Sequence, residues 1–407
     1  MSYISENFNN KRILIWGYGR EGRSTEAFLK KHCEPLVIDV FEGKREDIDE
    51  SAYDHIIKSP GIVMKDDDPR YTSQTQIFLD CFRDRTVGIT GTKGKSTTSS
   101  MMAKVLSDCT GRNVRLLGNI GLPCLDYYDE ITDDEDSIVV FEMSCHQLAH
   151  VTVSPHIAIF LNLYEEHLDY YETMDAYFHA KSNITRFQVA DDRLYVGSNV
   201  PTVATKAVVY TIDEDIHRDP SGEPLFKLKI PGDHNCINAE FVYRVAHDVY
   251  GADDESIRRS LSEYEGLPHR LQYVGTRNGI RYYDDSISTI PQATIAALNA
   301  LPETDTVIIG GMDRGIDYDE LIGYVRKHDE FRYIFSYETG RRIMNELKGL
   351  KYCYYTEDLK SAVELASGIT GQDRICLLSP AAASYGYFKN FEHRGDMFKE
   401  YALGLST

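Results

Sequence analysis

Residues 86–97 read Thr-Val-Gly-Ile-Thr-Gly-Thr-Lys-Gly-Lys-Ser-Thr. A short apolar run leads into glycines and then into Lys-Ser-Thr. That order predicts a strand, a tight loop and a helix opening near Lys95. Glycines let backbone N–H groups turn inward around phosphate oxygens, and the helix N-terminus adds its dipole. Lys95 would bridge β- and γ-phosphates and Ser96 would hold Mg²⁺, with Gly91, Thr92, Lys93, Gly94 and Thr97 completing the cradle. The strict form of this loop has glycine five residues before Gly94. Ile89 stands there, so the loop is a variant. Alone it signals a nucleotide and does not separate a ligase from a kinase, a transport ATPase or a switch.

Upstream, KRILIWG (11–17) reads as a buried strand running into Gly17-Tyr-Gly-Arg-Glu-Gly22 and the helical pattern STEAFLKKH. A second strand, PLVIDV, ends near Asp39, and a third, HIIKSPG, ends at Gly61. Gly17, Gly19 and Gly22 after a strand, with an acid about 20 residues on, match the dinucleotide fingerprint. NAD, a UDP-sugar, another diphosphate or tight packing alone would each account for it. Residues 65–73 are polar and loop-like, and a helix is expected near 75–83.

Downstream, IVVFEMS (138–144) and HIAIFLNL (156–163) read as strands, and 175–189 and 234–249 as helices. After Gly266-Leu-Pro-His-Arg270, strands are expected at 280–286, 306–311, 333–336 and 375–380. Strands alternating with helices predict parallel α/β sheets. Three domains are expected: a Rossmann-like unit at 1–85, a central P-loop unit at 86–270 and a C-terminal Rossmann-like unit at 271–407.

The 407 residues carry a net charge of −20 and are 42% hydrophobic. The acidity argues against nucleic acid as a partner. No apolar run approaches the roughly 20 residues of a membrane span, and the N-terminus does not read as a signal peptide. Eight scattered cysteines without a CxxC pair read as reduced thiols of a cytoplasmic protein.

Chemistry-bearing residues follow the loop. Glu142, at a strand end, suits a metal-holding acid. Gln147 lies five residues on. His167 stands among carboxylates in Asn162-Leu-Tyr-Glu-Glu-His-Leu-Asp169, which suits a metal ligand or a phosphate contact. Lys181, on an amphipathic helix, would ordinarily be a surface lysine.

Taken together, TGTKGKST, GNIGLP (118–123), FEMSCHQL (141–148), LNLYEEHLDYY (161–171), AKSNI (180–184), GDHNCINA (232–239), GLPHR (266–270) and SPAAASYGYFKNFEHRG (379–395) stand in an order and spacing that resembles the Mur ligase family. These are ATP-dependent amide-forming enzymes of peptidoglycan precursor synthesis, and the resemblance covers nearly the whole chain. The last block is most similar to the branch that adds glutamate to UDP-N-acetylmuramoyl-L-alanine through an acyl phosphate. The resemblance implies ATP at Lys95 and the loop, a first Mg²⁺ on Ser96 and Glu142, and a second on His167 and a carbamylated Lys181. It also implies nucleotide contacts at Asn235, Asn238, Arg270 and Asp285. UDP would lie against Gly17–Gly22, Asp39 and Ser59-Pro60-Gly61. The muramoyl substrate would meet Asn119 and Gln147, and glutamate would meet Thr289, Arg314, Ser384, Tyr385 and Phe388. A monomer is expected.

The chain departs from the family in three places. Most members of the glutamate branch read Asp-Ser-Lys-Ala-Thr-Asn where this chain has Asp285-Ser-Ile287-Ser-Thr289-Ile290. A family lysine after a Gly-Gly turn is replaced by Arg314, which can grip a carboxylate bidentately. The N-terminal Gly-Tyr-Gly-Arg-Glu-Gly-Arg is also atypical. These changes resemble a subgroup in which L-glutamate replaces D-glutamate, although D-glutamate is the default expectation. Two other classes compete: a P-loop ATPase or regulatory switch, and an NAD-dependent oxidoreductase, which leaves the loop at 91–97 unexplained.

Overall fold

The computed structural model describes residues 3–64, 68–213, 215, 224–232 and 234–404, without the side chain of Asp169. The chain forms two compact units, Met1–Lys227 with Asp233–Ser262, and Leu228–Gly232 with Glu263–Thr407.

The first unit carries two parallel sheets. In one, β1 (Arg12–Trp16), β2 (Val37–Phe41), β3 (His55–Lys58) and β4 (Tyr71–Thr72) lie in the order β2-β1-β3-β4. In the other, β5 (Thr86–Thr90), β6 (Val114–Gly118), β7 (Ile138–Glu142), β8 (Ile157–Phe160), β9 (Arg193–Gly197) and β10 (Val208–Ile212) lie in the order β10-β9-β8-β5-β7-β6. β5, β7 and β8 are buried at every position, as sheets covered on both faces require. In both sheets the order reverses next to a glycine turn. The Gly17–Gly22 turn leaves β1 between β2 and β3. The Gly91–Gly94 loop leaves β5 between β7 and β8. Ligands of open α/β sheets collect at such switch points, outside the carboxyl ends of the strands.

One hydrophobic core runs through both sheets. Phe28 and Leu29 of the helix Arg20–His32 and Ile77 and Phe78 of the helix Gln74–Phe82 join Val139, Phe141 and Phe160. The Phe78 and Phe141 rings meet edge-on at 5.3 Å. This shared core fixes the Gly17–Gly22 turn relative to the Gly91–Gly94 loop.

The second unit holds β11 (Gln272–Arg277), β12 (Ile280–Asp284), β13 (Thr304–Gly310), β14 (Arg332–Ser336), β15 (Cys353–Thr356) and β16 (Ile375–Leu378) in the order β11-β12-β16-β13-β14-β15. β11 pairs antiparallel with β12, and the other pairs are parallel.

Some expectations are corrected. Within the polar stretch 65–73, Tyr71–Thr72 pairs with Ile56–Ile57 as an edge strand, and residues 65–67 lie outside the described residues. The strand expected to end near Asp39 continues to Phe41, and that expected at 156–163 is confined to 157–160. β6, β9, β10, β11 and β15 were not anticipated from the sequence. Among the described residues no helix is long and apolar enough to cross a membrane. Among the described residues, which include all eight cysteines, no disulfide is formed.

Candidate functional site

The loop after β5 is built by close approach. Gly94 adopts φ +83°, and a Cβ there would lie 2.8 Å from Asn238 Oδ1. A side chain would therefore strain the backbone and displace Asn238. Asn238 and Asn235 are buried on the helix His234–Asp248, and Asn238 Nδ2 donates to Asn235 Oδ1 at 3.1 Å. The structure thus places Asn235 and Asn238 behind the loop. From the end of β8, Asn162 clamps the other side. Its Oδ1 accepts from Lys93 N at 2.9 Å, and its Nδ2 donates to Lys93 O at 3.1 Å. Thr92 N donates to Asn162 O, and Thr92 Oγ1 lies 3.3 Å from Tyr177 OH. Ser96 and Thr97 sit half-buried in the first turn of the helix Lys95–Thr110, whose N-terminus favours an anion.

Two lysines converge on one carbonyl. Lys95 Nζ donates to Gly91 O at 2.8 Å and Thr92 O at 2.9 Å, and Lys181 Nζ donates to Gly91 O at 2.7 Å. Lys181 is only 1% exposed, unlike the ordinary lysine of an amphipathic helix. Its Nζ lies 4.9 Å from the centre of the Tyr177 ring. Burial, reinforced by the neighbouring Lys95 charge, pulls its pKa down to about 7.

Glu142 ends β7 beside Ile89 and is fully buried. Oε1 accepts from Asn119 Nδ2 at 2.9 Å, while Oε2 has no hydrogen-bond partner. An orphaned buried carboxylate oxygen is costly, and a cation at the adjoining loop would satisfy it. His167, in the left-handed region at φ 58°, lies 3.9 Å from Glu166 Oε2. Among the described residues no three His, Cys, Asp or Glu side chains gather as a ready metal cluster. A metal here would draw its ligands from Ser96, Glu142, His167 and the bound phosphates.

A cavity of about 400 Å³ is lined by Pro60, Gly61, Lys95, Asn119, Ser144, Cys145, His146, His167, Tyr170 and Lys181. Gly61 and Asn119 thus meet the phosphate loop in one space. Gln147 lies behind the cavity wall and reaches the glycine turn, its Nε2 donating to Glu21 Oε1 at 3.3 Å. Burial pushes the Glu21 carboxyl up, opposed by Gln147 and Lys58. Burial pulls Lys58 down to about 8, with Glu21 opposing. Asp39 lies within β2 and accepts from Tyr53 OH at 2.8 Å.

The glycine turn gives a sharp prediction. A Cβ on Gly22 would sit 2.2 Å from Gly17 O, whereas one on Gly19 would meet nothing within 4 Å. Gly22→Ala is expected to cost about 2–4 kcal/mol of stability and Gly19→Ala less than about 1 kcal/mol. Thermal melts of the two variants check this, and equal melting temperatures would contradict it.

In the second unit, the segment after β12 is held by buried polar groups. Asp285 Oδ2 accepts from Ser288 Oγ at 2.6 Å and Ser379 Oγ at 2.8 Å, and burial pushes Asp285 up to about 6. Arg270 Nε is buried without a hydrogen-bond partner. Arg314 Nη2 donates to Thr289 O at 3.0 Å, joining two of the expected glutamate residues. Ser384 is buried, Tyr385 is exposed, and Phe388 packs edge-on to Tyr337 at 5.9 Å. Arg394, 1% exposed, binds Ser286 Oγ, Ser286 O and Ala382 O, and so locks the loop that carries Ile287.

Sequence reasoning assigned no role to Asn162, His146, Cys145, Tyr170 or Arg394. All five lie inside or beside quoted motifs, but their contacts depend on turns and on distant segments.

Fold and site together define a P-loop protein with a glycine-turn α/β sheet in the same unit and a separate α/β sheet after it. Models of the Mur ligase middle domain and of the Mur ligase glutamate ligase domain match residues 89–246 and 269–382. The UDP-N-acetylmuramoylalanine--D-glutamate ligase of Lactobacillus acidophilus is 30% identical over 99% of this chain and 99% of its own. Among solved structures, the MurF ligase from Thermotoga maritima in complex with ADP has a TM-score of 0.59 at 16% identity, covering 100% of both chains. The UDP-N-acetylmuramate-alanine ligase MurC from Thermotoga maritima has a TM-score of 0.57 at 19% identity, over 97% of this chain and 100% of that one. The chain belongs to the Mur ligase family of ATP-dependent amide ligases. That membership sets aside the switch and oxidoreductase readings.

Proposed function

We propose that this enzyme adds D-glutamate to UDP-N-acetylmuramoyl-L-alanine, forming an amide at the expense of ATP in peptidoglycan precursor synthesis. The observation that carries the reading is the cavity of about 400 Å³ that Lys95, Lys181, His167 and Asn119 line together with Pro60 and Gly61. It joins a triphosphate loop to the sheet edge suited to a diphosphate-linked acceptor. The names of full-length relatives support the same substrates.

In this reading the loop amides, Lys95 and Thr97 hold the ATP phosphates, with Asn235, Asn238, Arg270 and Asp285 as further nucleotide residues. The UDP end lies on Gly17, Gly19, Gly22, Asp39 and Gly61, and the muramoyl portion on Asn119 and Gln147. One carboxylate oxygen of the acceptor attacks the γ-phosphorus, ADP leaves, and an acyl phosphate forms. The amine of glutamate attacks the acyl carbon, and the tetrahedral adduct expels phosphate to leave the amide. Lys95 offsets the repulsion between carboxylate and γ-phosphate and stabilises charge on the transferring group. Ser96 and Glu142 would hold one Mg²⁺, and His167 with a carbamylated Lys181 a second. These ions would supply further charge neutralisation. The orphaned Glu142 Oε2 and the lowered pKa of Lys181, which leaves a neutral amine able to take up CO₂, support this assignment. Residues 1–85, 86–270 and 271–407 would serve acceptor, ATP and amino acid in turn. The enzyme would act as a cytoplasmic monomer, with no nucleic-acid or membrane partner.

Arg314, Ser384, Tyr385, Phe388 and Thr289 would choose the amino acid. Ile287 in place of a family lysine and Arg314 in place of another favour L-glutamate as the second reading. Ligation of UDP-N-acetylmuramoyl-L-alanine is to be measured with D- and L-glutamate in parallel. D-glutamate is expected to give at least about tenfold higher kcat/KM, a difference of about 1.4 kcal/mol. A preference for the L isomer would install the second reading, and no ligation with either would end both. ATP hydrolysis is expected to stay low until acceptor and amino acid are both present.

A further inference from the structure

We propose that Arg342 is a positioning residue that holds Arg314 in place for the incoming glutamate and acts on that substrate only through Arg314. The proposal rests on the ligase reading above and on the place given there to Arg314. That side chain is exposed, and its loop after β13 carries two glycines at positive φ, Gly311 at +159° and Gly315 at +72°. Glycines near both ends leave the backbone of Arg314 free to wander unless other contacts fix it.

The start of the loop is anchored by close approach. Met312 N donates to Ala383 O at 2.9 Å, and a Cβ on Gly311 would lie 2.3 Å from the same oxygen. The part that carries Arg314 is anchored by Arg342. Asp313 Oδ1 accepts from Gly315 N at 2.8 Å, which closes a turn with Arg314 at its apex. Arg342 Nη1 donates to Asp313 Oδ1 at 2.9 Å and to Oδ2 at 3.1 Å, and Nη2 donates to Ile316 O at 2.9 Å. One guanidinium thus grips the residue before Arg314 and the residue two after it. Arg342 stands on the helix Tyr337–Glu346, and its guanidinium carbon lies 5.4 Å from the centre of the Tyr318 ring. Tyr318 is itself buried, its OH donating to Ala381 O at 3.0 Å. A planar fork with donors in fixed directions suits this clamp better than the point charge of an ammonium. With the turn held, Arg314 reaches Thr289 O at 3.0 Å. The Arg342 side chain is 44% exposed, and exposed ion pairs contribute little to stability. The clamp therefore sets the shape of this loop and adds little to the stability of the fold.

A double-mutant cycle in steady-state ligation tests this. The varied substrate is whichever glutamate isomer the wild-type chain uses faster, with ATP and UDP-N-acetylmuramoyl-L-alanine saturating. High enzyme concentrations keep the slope against glutamate readable in weak variants. Arg342→Ala is expected to lower kcat/KM for glutamate about tenfold, as displacement of a substrate-positioning group does, with KM for ATP and for the acceptor within about twofold. In an Arg314→Ala background the same substitution is expected to change kcat/KM for glutamate by less than about twofold, because a residue that acts through Arg314 then has nothing to act on. An equal loss in both backgrounds would overturn the proposal and make Arg342 an independent contact of glutamate. Wild-type kinetics in Arg342→Ala, or an equal rise in all three KM values, would also overturn it. Should Arg342→Ala melt well below wild type, Arg342→Met, which keeps a long side chain beside Tyr318, decides by the same cycle. Arg314→Ala at wild-type rates would remove the role given to Arg314, and the proposal with it. A wild-type chain that ligates neither isomer would remove the ligase reading itself, a result distinct from every pattern within the cycle.

Discussion

A Lys95→Ala enzyme is expected to lose ATP-dependent ligation by at least about a thousandfold in kcat while melting within a few degrees of wild type. The magnitude follows from the step it serves. A carboxylate must approach a γ-phosphate, and removing one fixed donor from such a site typically costs 10²–10³ in rate, with more where the group also positions the nucleotide. The small effect on stability follows from the surroundings. Lys95 is half-buried, and its Nζ donates to the carbonyls of Gly91 and Thr92. Gly91 O keeps the Lys181 donor when Lys95 is removed. The variant has a second consequence, because the Lys95 charge helps to hold Lys181 low. Without it the Lys181 pKa should rise. Raising the assay pH should then return Lys181 to its neutral form but should not restore turnover. Full turnover in Lys95→Ala would contradict the role given to this side chain. Recovery at high pH would show instead that Lys95 acts chiefly through Lys181.

The phosphate loop and its strand were legible because the pattern is local: an apolar strand, glycines and a helix start within about a dozen residues. Glu142 was legible for the same reason, as the acid that ends an apolar run. Lys181 was harder. Its helix has the 3.6-residue periodicity of a surface helix, and nothing local shows that its amine turns onto a loop ninety residues earlier. Asn235 and Asn238 were reached through the family resemblance alone, since their place behind Gly94 is a tertiary contact. Asp39 looked like a strand end because the apolar pattern thins there, but the pairing with β1 continues through Val40 and Phe41. β4 escaped because two residues in a polar stretch carry no period.

Replacing Lys181 by methionine should separate stability from activity in opposite directions. Burial and the Lys95 charge hold the folded Lys181 pKa at about 7, against an ordinary value of 10.5. Between those values the unfolded chain binds more protons than the folded one, so stability rises with pH across that window. The penalty for folding is therefore full below about pH 7 and disappears above about pH 10.5. Methionine is similar in length and carries no charge, so Lys181→Met should melt at or above wild type at pH 7, and its melting temperature should vary less with pH. Melts from pH 6 to 9 in carbonate-free buffer check this, and a variant less stable than wild type at pH 7 would contradict it. Ligation should nevertheless fall by at least about a thousandfold, because methionine can supply neither an amine nor a carbamate to the cavity. Lys181→Ala discriminates between those two losses. It opens space beside Tyr177 and Gly91, where a small carboxylate such as acetate could take the place of a carbamate, whereas a small amine could take the place of an ammonium. Recovery with acetate but not with methylamine would show that the position works as an anion. Recovery with methylamine alone would mean that Lys181 acts as the amine seen donating to Gly91 O.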